Sequence, residues 1–310
     1  MPTYPATPAA ATVSWLLKQP EVISRDLVNL TYKKFVADRL FVQGSPEQVA
    51  GGALRFQRDE DIFLDRDPEQ IAARGYWPRT GWSEDIRTEA VKEFGLETVI
   101  NYLSIRRNAR NQLTIAQRKL ANNIVRFVDT QAMTVLESDA DINTQASAAV
   151  WTTAGTDVIA EIGKAQETIE NQDNGYAGFD GAVLVAHTNL RDALLNNTGL
   201  RNALPRETTD GQIRTGMIAP FLGLREIIFT PRITSTVALV MDPTTAGVIA
   251  DERPDPEEGF VAYDTGDGKP PIWVQVYDEK GSRDKIVSGG RWPAMALTAP
   301  KAVVKITAVA

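Results

Sequence analysis

Residues Gln112–Leu136 read QLTIAQRKLANNIVRFVDTQAMTVL, and apolar side chains recur in this stretch mostly at steps of three and four residues. That spacing places one apolar stripe along an α-helix. A helix that is capped by Thr114 and runs to Leu136 would be about 35 Å long. If Thr114 is not the cap, the helix begins near Ser104. This is the clearest helix that the sequence predicts.

The other face of this helix is basic. Six cationic residues lie on it or just before it: Arg106, Arg107, Arg110, Arg118, Lys119 and Arg126. One interpretation is a contact with nucleic acid, because clustered Lys and Arg neutralise phosphates. The other is a solvated or salt-bridged face. We favour the second, because the chain has 33 Lys and Arg against 40 Asp and Glu, a net charge of −7.

The region before the helix is unusually long and polar. A short strand pattern at Ala53–Gln57 leads into the polar stretch Arg58–Asp85, and a second extended run covers Ile86–Leu103. A loop of this length is uncommon in a compact domain unless it has a function, and a free hairpin is marginal in water. We predict that it lies on a neighbouring subunit. The alternative is a disordered lid.

Aromatic and charged residues of this loop are the candidate assembly contacts. Trp77 and Trp82 are the predicted anchors, since buried aromatic side chains dominate many interfaces. The predicted polar rim consists of Arg58, Asp59, Asp65, Arg66, Arg74 and Arg79.

The first 45 residues or so resemble an arm. A short helix is expected around Val22–Val36, and Tyr32 and Phe35 then have no local core to join. Either the arm lies on another subunit through these two residues, or it is an N-terminal helix packed on its own chain.

The second half of the chain combines helices and strands. Thr156 and Thr188 are predicted helix caps in an alternating α and β region that ends at residue 255. Acidic, proline-interrupted residues 251–258 are expected to form a solvated loop. Residues 259–310 are expected to be all β, with Gly289 and Gly290 in turns. The predicted strands are 182–186, 224–230, 237–241, 272–277, 294–297 and 302–309.

Composition and motifs argue against catalysis. The chain has no cysteine and a single histidine, His187, which removes disulfides, thiolate zinc sites and multi-histidine metal sites. Residues 266–269 fail as a phosphate-binding loop, and 139–150 fail as an EF-hand. No apolar run is long enough to span a membrane. We expect no catalytic, cofactor or metal site, and His187 is expected to be structural.

Several stretches, in this order, resemble the major capsid proteins of tailed bacteriophages with the Hong Kong 97-type fold. Gln112–Leu136 resembles the spine helix of that family. The other matching runs are EAVKEFGLETVINYLS (89–104), VLVAHTNLRDALLNNTGLR (183–201), FLGLREIIFTPRI (221–233) and RWPAMALTAPKAVVKIT (291–307).

The resemblance implies an α+β capsid fold. It implies an N-terminal arm at 1–48, an E-loop at 49–98, a peripheral (P) domain with the spine helix at 99–155, an axial (A) domain at 156–255 and closing P-domain strands at 256–310. It also implies self-assembly as hexamers and pentamers into an icosahedral shell around double-stranded DNA. Arm and E-loop would reach across neighbouring subunits.

The resemblance also implies partners and a location. We expect a separate scaffolding protein, or a scaffolding domain that has already been removed, since only about 50 residues precede Gly51. We also expect a portal. A decoration protein is a further candidate, and packaged DNA would bind only weakly and without sequence preference. The location would be the virion capsid, assembled in the host cytoplasm, with no membrane partner. Residues 51–91 lack lysine, so we expect no E-loop isopeptide cross-link.

Two other functions compete with this one. An encapsulin-type nanocompartment shell would share the fold but enclose a protein cargo. A hydrolase that uses carboxylates of the α and β region, with His187 or residues 251–258, is the enzymatic alternative, and the missing motifs disfavour it.

Overall fold

The computed structural model describes residues 12–45, 49, 51–58, 69–71, 76–81, 85–153, 156–172, 178–197, 222–253, 259–262, 271–279, 281 and 283–310. The α-helices in this part of the chain are α1 (Val13–Leu16), α2 (Pro20–Thr31), α3 (Ala37–Leu40), α4 (Tyr102–Arg106), α5 (Arg110–Ser138), α6 (Val158–Glu170) and α7 (Leu190–Asn196).

The strands form three sheets and a separate hairpin. They are β1 (Val42–Gln43), β2 (Ala53–Arg58), β3 (Asp85–Ala90), β4 (Phe94–Ile100), β5 (Asn143–Ala146), β6 (Val183–Ala186), β7 (Glu226–Phe229), β8 (Val237–Met241), β9 (Gly247–Asp251), β10 (Val261–Ala262), β11 (Trp273–Asp278), β12 (Lys285–Arg291), β13 (Pro293–Leu297) and β14 (Val303–Thr307). The strand orders are β1-β9-β13, β10-β11-β12-β4 and β5-β14-β8-β6-β7, and the hairpin is β2-β3.

Helix α5 is the predicted spine helix, and it is longer than predicted. Its 29 residues make a rod about 43 Å long. Thr114 is not its cap, because the helix begins at Arg110 and the Thr114 hydroxyl donates to the Arg110 carbonyl, 3.1 Å away. The turn at Asn108, with φ of 51°, separates α4 from α5.

The spine helix buries its predicted stripe in the larger of two cores. Leu113, Leu120 and Leu136 are at most 3% exposed there, and α2, β4 and β13 pack against the same helix. Full burial of one such side chain stabilises the fold by about 1.5–3 kcal/mol. The smaller core lies between α6, α7 and the five-stranded sheet that contains β6.

The N-terminal residues from Pro20 onward pack on their own chain. Helix α2 lies against α5 and β11, and the buried Ser24 hydroxyl donates to the Ile272 carbonyl at 2.6 Å. Phe35, a predicted assembly contact, is 2% exposed inside the larger core, so the packed-helix alternative is correct for this residue. Tyr32 remains 42% exposed.

The six predicted strands of the second half correspond to β6, β7, β8, β11, β13 and β14, whereas β9, β10 and β12 were not predicted and the helix caps differ. Strand β8 occupies the predicted residues 237–241. Asp157, not Thr156, caps α6, since its Oδ1 accepts from the Ala160 N–H at 3.1 Å. Asn189, rather than Thr188, precedes α7. Strand β14 pairs with β5 and β8, so the predicted segment boundary at residue 256 does not separate the sheets.

Gly289 and Gly290 do not form the predicted turn. Both lie inside β12, paired with β11 and β4. Gly290 faces Gly95 across the β12–β4 pair, and the indole of Trp273 lies against both glycines. The indole therefore needs a slot without Cβ atoms, which explains Gly95 and Gly290 on the two paired strands. At Gly289 a Cβ would instead lie 3.1 Å from Cδ2 of Leu120.

Asp251 belongs to a buried ion network and not to a solvated loop. It ends β9, and its two oxygens accept from the Nε and Nη2 of Arg291 at 2.7 and 2.8 Å. Arg291 is wholly buried, also donates to Asp38 at 2.7 Å and lies 4.7 Å from the ring centre of Phe35. The network ties α3 to two sheets. Glu252 of the predicted loop is half-buried, and the other acids, Asp255, Glu257 and Glu258, lie outside the described residues.

Asp129 of the spine helix stabilises the start of α3, although the two lie more than 90 residues apart in the sequence. Its Oδ1 accepts from the backbone N–H groups of Val36 and Ala37 at 2.9 and 3.0 Å. Burial raises the pKa of this carboxyl from 3.8 to about 6, against the lowering effect of the two N–H groups. The folded state therefore binds a proton more tightly than the unfolded state. Protonated Asp129 therefore stabilises the folded state fully at low pH, and this contribution is lost as the pH rises through about 6.

We expect Asp129→Asn to raise the melting temperature at pH 8 and to change it little at pH 4.5. The amide oxygen still accepts both N–H groups, but no buried charge forms at high pH. The gap between 3.8 and about 6 corresponds to at most about 3 kcal/mol. Thermal unfolding of both proteins at the two pH values measures the effect. An equal change at both pH values would contradict this account.

Candidate assembly surface

The base of the predicted E-loop is a regular hairpin. Strands β2 and β3 pair antiparallel in the register Ala53↔Ala90 to Arg58↔Asp85. The hairpin also contacts β13, which joins it to the body of the subunit. Five predicted contacts in the loop lie outside the described residues: Asp59, Asp65, Arg66, Arg74 and Trp82.

Arg58 is an internal anchor and not part of an exposed rim. Its side chain is 5% exposed, and its Nη2 lies 2.9 Å from Asp139 and 2.7 Å from Asp141. Both carboxylates follow the end of the spine helix. The prediction of Arg58 as an exposed rim residue is therefore wrong for the folded subunit. The sequence showed only a charge-dense loop and could not reveal which charges pair within the chain.

Trp77 and Arg79 are exposed where the structure describes the loop. Trp77 is 82% exposed and its neighbour Tyr76 is 99% exposed. Two adjacent aromatic side chains with this exposure are unusual, because their burial would stabilise a folded chain strongly. Sequence reasoning singled out Trp77 and missed Tyr76, although the two are adjacent.

The edge of the four-stranded sheet adds an apolar surface that sequence reasoning missed. Strand β4 is the edge strand, and Leu96 and Val99 on it are 46% and 57% exposed. Ile86 on β3 is 53% exposed. Because side chains alternate along a strand, Leu96 and Val99 point to opposite faces, so β4 exposes an apolar side chain on each face.

A groove of about 330 Å³ lies between the hairpin and the second half of the spine helix. Phe56, Arg87 and Lys92 line one side, and Gln131 and Thr134 of α5 line the other. The lining also includes the carboxylates of Glu89 and Asp139, so the groove mixes apolar, charged and amide groups.

The other candidates from the sequence find structural roles. The Nδ1 of His187 accepts from the Asn189 N–H at 3.1 Å, which shapes the turn into α7.

In the described part of the chain, no three His, Cys, Asp or Glu side chains group closely enough to hold a metal ion. No helix among the described residues is long and apolar enough to cross a membrane.

The fold is that of viral and virus-like shell proteins. A chain from Mycobacterium phage Che8 matches with a TM-score of 0.63 at 13% identity, covering 88% of this chain and 90% of that one. The capsid of Myoviridae phage XM1 matches with a TM-score of 0.58 at 9% identity, covering 88% and 90%. A virus-like particle from Pyrococcus furiosus matches with a TM-score of 0.57 at 10% identity, covering 92% and 98%. No curated protein sequence matches significantly.

The sequence profile described as "Phage capsid protein" matches residues 85–306, about seven-tenths of the chain. The chain therefore belongs to this phage capsid protein family, and its α+β architecture is the Hong Kong 97-type fold predicted from its sequence. It is a structural protein of the virion capsid, and its function is that of a major capsid protein.

Proposed function

We propose that the chain assembles as hexamers and pentamers into an icosahedral shell that encloses the double-stranded DNA of a tailed phage. The observation that carries this proposal is the exposed aromatic pair Tyr76 and Trp77, on a long hairpin loop that Arg58 fixes to the spine helix. Because Tyr76 and Trp77 are not buried in their own subunit, both side chains can be buried against a neighbour. Rings closed by unlike surfaces give such oligomers.

The finer parts of the proposal concern layout and partners. The segments 1–48, 49–98, 99–155, 156–255 and 256–310 are our proposed arm, E-loop, P-domain, A-domain and closing strands, with β14 crossing into the sheet of the fourth segment. A separate scaffolding protein, a portal and a decoration protein are proposed partners, with assembly in the host cytoplasm. We propose no catalytic role.

Trp77→Ala should weaken assembly without weakening the subunit. Because Trp77 is 82% exposed, its loss should leave the melting temperature of the unassembled chain unchanged. Loss of an aromatic anchor costs about 2 kcal/mol or more per contact, which is about 30-fold in contact affinity. Light scattering and negative-stain electron microscopy over a concentration series measure the threshold for shell formation.

Two variants make the Trp77 experiment specific. Trp77→Phe keeps an aromatic ring and should restore most of the assembly. Trp151→Phe changes a tryptophan that is 2% exposed in the smaller core, so it should lower the melting temperature instead. Shells that form at the same concentration with Trp77→Ala as with the unaltered chain would exclude Trp77 as an anchor.

The encapsulin-type shell is the second candidate, because the structural match to the virus-like particle from Pyrococcus furiosus covers 98% of that particle's chain. The contents of purified particles distinguish the two functions. Nuclease-protected DNA in purified particles supports the phage capsid, and a stoichiometric protein cargo supports the nanocompartment.

A further inference from the structure

A charged surface on the spine helix has no role in the packing of the subunit. We name as the basic strip the exposed residues Lys33, Lys34, Arg118, Lys119 and Arg126. Lys34 belongs to it because its Nζ donates to Asn122 of the spine helix at 3.1 Å. Asn122 lies one helical turn from both Arg118 and Arg126, so Lys34 stands beside the middle of the arginine row, and Lys33 precedes it in the sequence.

The basic strip contains no acidic residue. Between Asn101 and Val128 the sequence has six Arg and Lys and no Asp or Glu, in a chain of net charge −7. The five strip residues take part in none of the ion pairs between described residues, whereas Arg39, Arg87 and Arg225 at other exposed sites each pair with a carboxylate. The positive charges of the strip repel one another, and a bound anion would relieve this repulsion.

The spacing of these charges fits a duplex. Arg118 and Arg126 are eight residues apart, or about 12 Å along the helix axis. Double-stranded DNA carries one phosphate charge per about 1.7 Å of its axis, or about seven phosphates over the same length. Five cations over that distance leave a net attraction without demanding a particular sequence.

We propose that the basic strip is a binding surface for the phosphate backbone of duplex DNA. The proposal rests on the proposed function, because that function supplies a duplex at high concentration inside the shell. The proposed contacts are to phosphates, which carry no sequence information, so binding is non-specific and depends steeply on salt. A polar but neutral surface would not have this dependence.

An acidic polypeptide is the competing occupant. Exposed carboxylates in the described part of the chain often hold a cation already, as Asp180 holds Arg225 and Asp278 holds Lys285. The acid-rich run of the chain is residues 59–69, with six acids and one arginine. If this run of a second copy covered the strip, loss of the strip would impair assembly and leave DNA binding unchanged.

The test compares two double variants of the full chain with equal net charge. Arg118→Gln/Arg126→Gln removes two strip charges, and Lys164→Gln/Arg232→Gln removes two exposed charges elsewhere. Binding of the unassembled chain to a random 25-base-pair duplex is followed by fluorescence anisotropy from 50 to 200 mM salt. Shell formation is followed in parallel by electron microscopy.

Loss of two phosphate contacts should reduce the slope of log K against log salt by about 1.8. Over this salt range the unaltered chain should then lose about tenfold more affinity than the strip variant does. The control variant should keep the slope of the unaltered chain, and both variants should still form shells. Equal slopes for the two variants overturn the proposal. So does a strip variant that binds DNA normally but fails to assemble. Failure of the unaltered chain to form any shell would count against the proposed function instead.

Discussion

Gly290→Ala should leave the chain unable to reach its native fold. A Cβ at this position would lie 1.9 Å from the Phe94 carbonyl oxygen and 2.6 Å from Cζ2 of Trp273. The first of these atoms is backbone of the paired strand, so β4 and β12 would have to separate. Overpacking of a well-packed core usually costs about 1–3 kcal/mol, and a clash with backbone should reach or exceed the upper end. Soluble yield and far-ultraviolet circular dichroism measure the loss.

A second glycine gives a matched control. Gly163 lies inside helix α6, and a Cβ there would meet nothing within 4 Å. Gly163→Ala should therefore stabilise the fold by about 0.5–1 kcal/mol, because glycine is a poor residue in a helix interior. A Gly290→Ala protein that melts within a few degrees of the unaltered chain would show that the slot is not needed.

Arg291→Met should destabilise the subunit by about 3–5 kcal/mol at pH 7, because it leaves buried carboxylates without their cation. Asp251 and Asp38 are 6% and 15% exposed in their side chains and share this one guanidinium. Burial would lower the pKa of Arg291, but the two carboxylates raise it above its ordinary range, so the arginine stays charged. Urea unfolding of the unassembled chain measures the effect.

The reverse changes separate charge from shape. Arg291→Met with Asp38→Asn and Asp251→Asn replaces the whole network by neutral groups of similar size, and should recover much of the lost stability. Lower pH should also reduce the cost of Arg291→Met alone, since burial already raises the pKa of Asp251. A triple variant as unstable as Arg291→Met would assign the loss to packing against Phe35 and not to charge.

Local sequence patterns predicted the elements that are determined by the burial of their own residues. The spine helix and strand β8 follow from apolar periodicity and from an apolar run, because burial on one face or both leaves that signature. Glycine pairs usually signal turns, and this misled the prediction at Gly289 and Gly290. Tertiary contacts set the requirement there: the indole of Trp273 at Gly290, and the side chain of Leu120 at Gly289.

Residues that act in pairs across the chain escaped prediction. Asp38, Asp251 and Arg291 lie in three separate stretches of the sequence, and the residues around each of them do not indicate a buried ionic partner. The same reason explains the mixed outcome at the predicted contacts. Trp77 and Arg79 are exposed as expected, while Arg58 and Phe35 find partners within their own subunit. Composition identifies a surface rich in charge, but pairing depends on the fold.

Strand β14 has a consequence for synthesis of the protein in the cell. Residues 303–307 lie between β5 and β8 in the five-stranded sheet, in the registers Val304↔Asn143 and Lys305↔Leu239. The sheet therefore lacks an interior strand until translation has passed residue 307. Non-local pairing of this kind folds slowly, and translation proceeds at about 5–20 residues per second. Nascent chains therefore cannot complete this sheet, and subunits become competent to polymerise only after the ribosome has made residues 303–307.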